Sequence, residues 1–128
     1  MKLLLLFVLP LLLCSGCNAQ QFIQAAEQGG VTIGYKWTHK EGKPSLLQLR
    51  IANPTGERCR VHADIDLYHQ GFTVEQFSAD TIIGPHRTLT GRLNGIYFTP
   101  RSLTPEQLRS SDTRVEVTGF TVEPVPAE

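Results

Sequence analysis

His62, Asp64 and Asp66 stand at alternate positions in the stretch "HADID". An imidazole and two carboxylates are the donor set that divalent metals take from proteins. In an extended strand, alternation would bring all three to one face. The spacing limits that chemistry, because two residues advance a strand by about 6.6–6.8 Å and the three groups would span about 13 Å. One ion cannot reach all of them unless a second strand contributes. Arg58 and Arg60 share the same face, where they repel a cation and pair with the aspartates instead. The sequence therefore predicts a solvated strand face, with a metal or small-ligand site at His62, Asp64 and Asp66 as the alternative.

Other chemistries find less support. No G-x-S-x-G elbow is present, and Ser45, Ser78, Ser102, Ser110 and Ser111 all fall near turn signals, where serine is expected. There is no glycine-rich phosphate loop. The C-x-x-C pair, Cys14 and Cys17, lies beside an N-terminal leucine run, and no pair of carboxylates stands out for glycoside cleavage. Twelve basic and twelve acidic side chains cancel, so nothing calls for a nucleic-acid partner, whose phosphates need clustered Lys and Arg. Tyr68, His69, Tyr97 and Phe98, with His39 and Trp37, are candidates for a contact surface, since aromatic residues with polar tips are enriched at interfaces. Tyr35 and Trp37 also lie on an apolar face, where packing is the simpler role. The expectation is a non-catalytic protein with no cofactor.

The elements that would carry these residues are strands. "VTIGYKW" places Val31, Ile33, Tyr35 and Trp37 on one face, and "LLQLRIAN" does the same with Leu47, Leu49 and Ile51. "NPTGE" is a turn, with Pro54 presetting one backbone angle. In "RCRVHADIDLY" the residues Cys59, Val61, Ala63, Ile65 and Leu67 alternate without error against polar neighbours, the signature of a half-buried antiparallel strand. "HQG" closes it, and the next strand begins at Phe72 and Val74. A break near Ser78 to Asp80 then leads to Ile82, Ile83 and the turn "GPHRT". "LTGRLNGIYF" continues the sheet, with Gly91 and Gly95 marking a bulge or a close backbone approach.

One short helix is expected after Thr104, which can cap it, with Pro105 in first position and Gln107 completing a capping box. In the last strand the phase slips at Gly119, since Val115 and Val117 face one way and Phe120 and Val122 the other. A bulge there would restore inward packing. About seven short antiparallel strands and one short helix predict an all-β fold, a small β-sandwich, with a six-stranded barrel as the competing architecture. Cys59, at an inward position, is expected to be a buried, inert thiol.

The N-terminus bears on location. Lys2 precedes an apolar stretch from Leu3 to Leu13, about half of the roughly 20 residues a membrane-spanning helix needs. This is the pattern of an export signal. Two processing routes are open. "CNA" permits a cut after Ala19 and release of a soluble secreted or periplasmic protein. Alternatively, Ser15 and Gly16 before Cys17 resemble the bacterial lipobox, and Cys14 stands where leucine is commoner. That resemblance implies lipidation at Cys17, with two or three acyl chains and a lasting membrane tether, since one chain alone holds weakly. It divides the chain into a signal peptide at 1–16, an anchor and spacer at 17–30, with a short helical turn expected at 22–26, and a β-sandwich domain at 31–128. Asn18 after the cysteine favours the outer membrane. Loss of Lys2 with the leader leaves one net negative charge, and no intramolecular disulfide can form on either route.

"LQLRIANPTGERCRVHADIDLYHQG" followed by "IIGPHRTLTGRL" resembles bacterial extracytoplasmic Ig-like domains of the FxLYD type. In those domains a strand ending in Asn, a turn and a strand ending in "LYD" plus Gly precede a Pro-Gly turn. Leu67 and Tyr68 match, His69 replaces the aspartate, and Pro85-His86 replaces Pro-Gly. The resemblance implies an Ig-like sandwich and no particular activity. Taken together, the expectation is an envelope lipoprotein that acts as a structural or protein-interaction module, held to a membrane by lipid and contacting other envelope proteins. A periplasmic ligand or metal binder is the alternative.

Overall fold

The computed structural model describes residues 21–126; the leader, Cys17 and Ala19 lie outside them. Among the described residues the chain forms β1 (Ile23–Gln28), β2 (Val31–Thr38), β3 (Leu46–Asn53), β4 (Cys59–His69), β5 (Phe72–Ile83), β6 (Arg87–Thr90), β7 (Tyr97–Phe98) and β8 (Thr113–Pro124), with one-turn helices α1 (Gly91–Asn94) and α2 (Pro105–Leu108). One sheet runs β1-β2-β3-β6, with β7 pairing a separate part of β3, and the other runs β5-β4-β8. Every pairing is antiparallel. The inner faces of the two sheets meet in one core, so the fold is an all-β sandwich and not a closed barrel.

Alternation drives this packing. Cys59, Val61, Ala63, Ile65 and Leu67 of β4 are buried as the pattern demands, the first four in one core with Val31 and Ile33 of β2 and Leu47, Leu49 and Ile51 of β3. Each large aliphatic side chain so buried contributes about 1.5–3 kcal/mol relative to exposure. Cys59 is buried and forms no disulfide among the described residues. The slip at Gly119 is a bulge: Asp64 pairs with Gly119 and Ile65 with Val117, leaving Thr118 as the extra residue. Phe120 and Val122 then face Ala63 and Val61, back on the core side. Gly119 is also a point of close approach, where a Cβ would sit 2.9 Å from Asp64 Oδ2.

Four expectations change. The stretch at 22–26 is not a helical turn in a spacer, because Ile23–Gln28 is the edge strand β1 and the sandwich begins before residue 31. Gly29 and Gly30, at φ +60° and +88°, make the two-residue hairpin turn to β2 that only residues tolerant of positive φ allow. No break occurs at Ser78–Asp80, since β5 runs unbroken to Ile83. A bulge between Leu67 and Tyr68 leaves Val74 as the extra residue opposite β4, which shifts the phase between Phe72 and Phe77 and imitates an interruption. "LTGRLNGIYF" is not one strand, as α1 interrupts it between β6 and β7. The expected single helix is thus two, and α2 spans one turn where about two were expected. Its capping box is in place, with Thr104 Oγ1 accepting from Gln107 N and Gln107 Oε1 accepting from Thr104 N.

Asn53, the last residue of β3, fastens the sheets at one end. It is buried, its Nδ2 donates to the Glu57 and Gly84 carbonyls at 2.7 and 2.9 Å, and its Oδ1 accepts from Thr55 N and Oγ1. The loop after β3 is thereby locked to the turn after β5. In that turn His86 takes φ +56°, a left-handed conformation uncommon outside glycine.

Candidate functional site

The outer face of the β5-β4-β8 sheet carries the "HADID" side chains. His62 Nε2 lies 3.1 Å from Asp64 Oδ1, and its Nδ1 lies 3.5 Å from Asp80 Oδ2 on β5. Asp64 Oδ1 also accepts from Ser78 Oγ at 2.8 Å. That bond, followed by the contact with His62, holds the Asp64 carboxyl below its ordinary range against an opposing effect of desolvation. Asp66 is turned elsewhere: it accepts from Gln76 Nε2 at 3.0 Å and from the Tyr68 hydroxyl at 3.4 Å. Arg60 pairs with Asp80 at 3.5 Å. The structure joins His62 to Asp64 but leaves Asp66 out, and no group of three metal-binding side chains gathers among the described residues. This face is a lattice of cross-strand pairs.

Four of the contact-surface candidates, Tyr68, His69, Tyr97 and Phe98, do not form one surface. Tyr68 and His69 lie at the end of β4, with the Arg114 guanidinium 5.6 Å from the Tyr68 ring centroid and Thr113 Oγ1 3.0 Å from His69 Nδ1. Tyr97 and Phe98 belong to the other sheet. Phe98 turns inward and stacks on Phe77, ring centroids 4.6 Å apart, whereas Tyr97 is exposed.

A groove of about 600 Å³ opens instead between β2 and β8, lined on one wall by Ile23, Tyr35, Trp37 and His39 and on the other by Leu108 to Ser110 and Thr113 to Glu116. A shallower continuation follows Ile23 to Ala25 and Val115 to Val117. Its origin is topological. β1 and β8 are edge strands of different sheets, and they are pinned where Gln28 Oε1 accepts from Val122 N at 2.7 Å. Toward the other end of β1 the sheets part. Tyr35 and Trp37 pack against the core from the groove side, which combines the packing role and the surface role open to them from sequence.

Within the groove His39 stacks on Trp37, centroids 5.6 Å apart, and its Nδ1 is hydrogen-bonded to Ser45 Oγ at 2.7 Å. Burial first, and then the charge of Arg109, hold His39 below the usual imidazole range. A serine against a histidine suggests a nucleophile and its base. Ser45 is only 2% exposed, however, which denies its oxygen to a substrate, and no carboxylate is hydrogen-bonded to His39 among the described residues. The pair instead ties the turn between β2 and β3 to the end of β2.

No family model, curated protein or solved structure matches the chain. The site is therefore read from its own geometry. Arg109, Val115 and Val117 are the groove residues that sequence reading missed. Arg109 ends a helix too short to show a face, and the importance of the two valines lies in which way their backbone points. The Gly29-Gly30 pair was the available signal, since a two-residue glycine turn before an alternating strand implies a preceding edge strand.

Proposed function

We propose that the protein is a lipid-tethered β-sandwich of a bacterial envelope that works through contact with other envelope proteins and carries out no catalysis. The observation that carries the reading is the sequence Ser15-Gly16-Cys17, one residue after the Leu3–Leu13 run. An apolar stretch too short to span a bilayer, followed by small residues and a cysteine, suits export and acylation. Two or three chains at Cys17 would give firm attachment, each buried methylene adding about 0.8 kcal/mol. Asn18 favours placement in the outer membrane, and no nucleic-acid partner is part of the reading. Among the described residues no helix is long and apolar enough to cross a membrane.

The first strand supports a close tether. Ile23 follows Cys17 by six residues, and six extended residues reach at most about 22 Å. A domain held that near a bilayer meets partners in or on the same membrane. The Ig-like character suggested by the FxLYD-type resemblance belongs to this proposal too, with support from the left-handed His86 at the position of that family's turn glycine.

The test is fractionation combined with cross-linking in intact cells. Cys17→Ser should move the protein from the membrane to the soluble fraction, and wild-type cross-links should run to envelope proteins. Retention of Cys17→Ser in the membrane would overturn the tether. Absence of any cross-linked envelope protein would overturn the contact role.

A further inference from the structure

The open side of β8 has a definite chemistry. β8 pairs with β4 from Thr113 to Pro124, and among the described residues its other side is hydrogen-bonded to β1 at Val122 alone. Thr113 N donates to the Ser110 carbonyl at 3.2 Å, so this amide points away from β4. Backbone groups alternate in direction along an antiparallel strand, and the register with β4 is regular from Thr113 to Val117. The N–H and C=O of Val115 and Val117 therefore also point away from β4, into the groove. Neither amide has a hydrogen-bond partner among the described residues outside the strand ladders. A row of free main-chain groups beside a groove is a template for another strand.

Two further features define what would lie there. The opposite wall offers the apolar surfaces of Ile23, Tyr35 and Trp37. The charge balance is positive: Arg114 is paired with Glu116 at 3.6 Å, while Arg109 has no ion-pair partner among the described residues. We propose that the edge of β8 from Thr113 to Val117 receives an extended segment of a partner protein as an added strand. Main-chain bonds to Val115 and Val117 hold it, alternate apolar side chains rest on Tyr35 and Trp37, and an acidic side chain pairs with Arg109. Strand addition of this kind takes affinity from the backbone and specificity from alternate side chains. The inference rests on the contact reading above and names the surface and the partner chemistry. The seat is about 13 Å long.

The test uses the full chain in detergent and two synthetic octapeptides, one alternating valine with glutamate and one alternating valine with lysine. With the glutamate peptide at millimolar concentration, hydrogen exchange at the Val115 and Val117 amides should slow by about tenfold or more. The lysine peptide should protect them less, and Arg109→Ala should weaken glutamate-peptide binding by about two- to fivefold. Val117→Pro removes one outward donor and leaves the β4 ladder intact, since proline is tolerated on a strand edge whose N–H faces outward. It should keep the thermal transition and lose the peptide. Equal protection by both peptides, no protection by either, or undiminished binding to a folded Val117→Pro variant would overturn the proposal. So would protection of both amides in the free protein, which would mean that the chain itself or a second copy fills the edge. If Val117→Pro keeps every cross-link seen in intact cells, strand addition falls and the contact role stands.

Discussion

Asn53 Nδ2 donates to the Gly84 carbonyl at 2.9 Å, joining the last residue of β3 to the turn that leaves β5. One side chain thereby spans the two sheets, and all of its hydrogen-bonding capacity is committed to that end of the sandwich. Asn53 is buried and makes four hydrogen bonds, each contributing about 0.5–1.5 kcal/mol net. Asn53→Ala should lower the free energy of unfolding by about 2–4 kcal/mol. Urea unfolding measures it, and a loss within experimental error would show that the loop is held by other means.

Thr118 keeps the core side of β8 continuous. Deleting it would move Phe120 and Val122 to the outer face, because a one-residue shift reverses every side chain beyond it. Two apolar side chains at about 1.5–3 kcal/mol each approach the whole stability of a small domain. The deletion variant should lack a cooperative thermal transition, whereas Thr118→Ala, which retains the extra residue, should unfold within a few degrees of wild type. A cooperative deletion variant would mean that the strand re-registers without loss.

His39 gives stability a dependence on pH. Its folded pKa lies below the ordinary value of 6.5, chiefly through burial and secondarily through Arg109. Between the two values the unfolded chain binds more protons than the folded one. Stability therefore rises with pH across that window and is lost as the pH falls from 6.5 toward the folded pKa. Urea midpoints between about pH 5 and about pH 7.5 should show a steeper slope for wild type than for His39→Gln. Equal slopes would mean that His39 titrates normally.

The readable part of the fold was the part governed by alternation. In β4 the apolar positions Cys59, Val61, Ala63, Ile65 and Leu67 are buried as the pattern implies, although Asp66, outward in the alternation, is buried as well, and the Gly119 slip is a bulge for the reason the pattern implies. Bulges also set the limit. In β5 the extra residue Val74 displaced the phase, so one strand resembled two. β1 was obscured because a strand with only Ala26 partly buried has no alternation to display. The candidate site was legible in pieces: Trp37, His39 and Tyr35 stand out as residue types. The wall facing them depends on the direction of main-chain amides, which side-chain sequence does not encode.

The attachment of the chain to a membrane is tested most directly by the mass of the N-terminal peptide of protein isolated from its native membrane. The account predicts a peptide beginning at Cys17 and carrying two or three acyl chains. A peptide beginning at Gln20 with no added lipid mass would contradict it and leave a sandwich released by cleavage after Ala19.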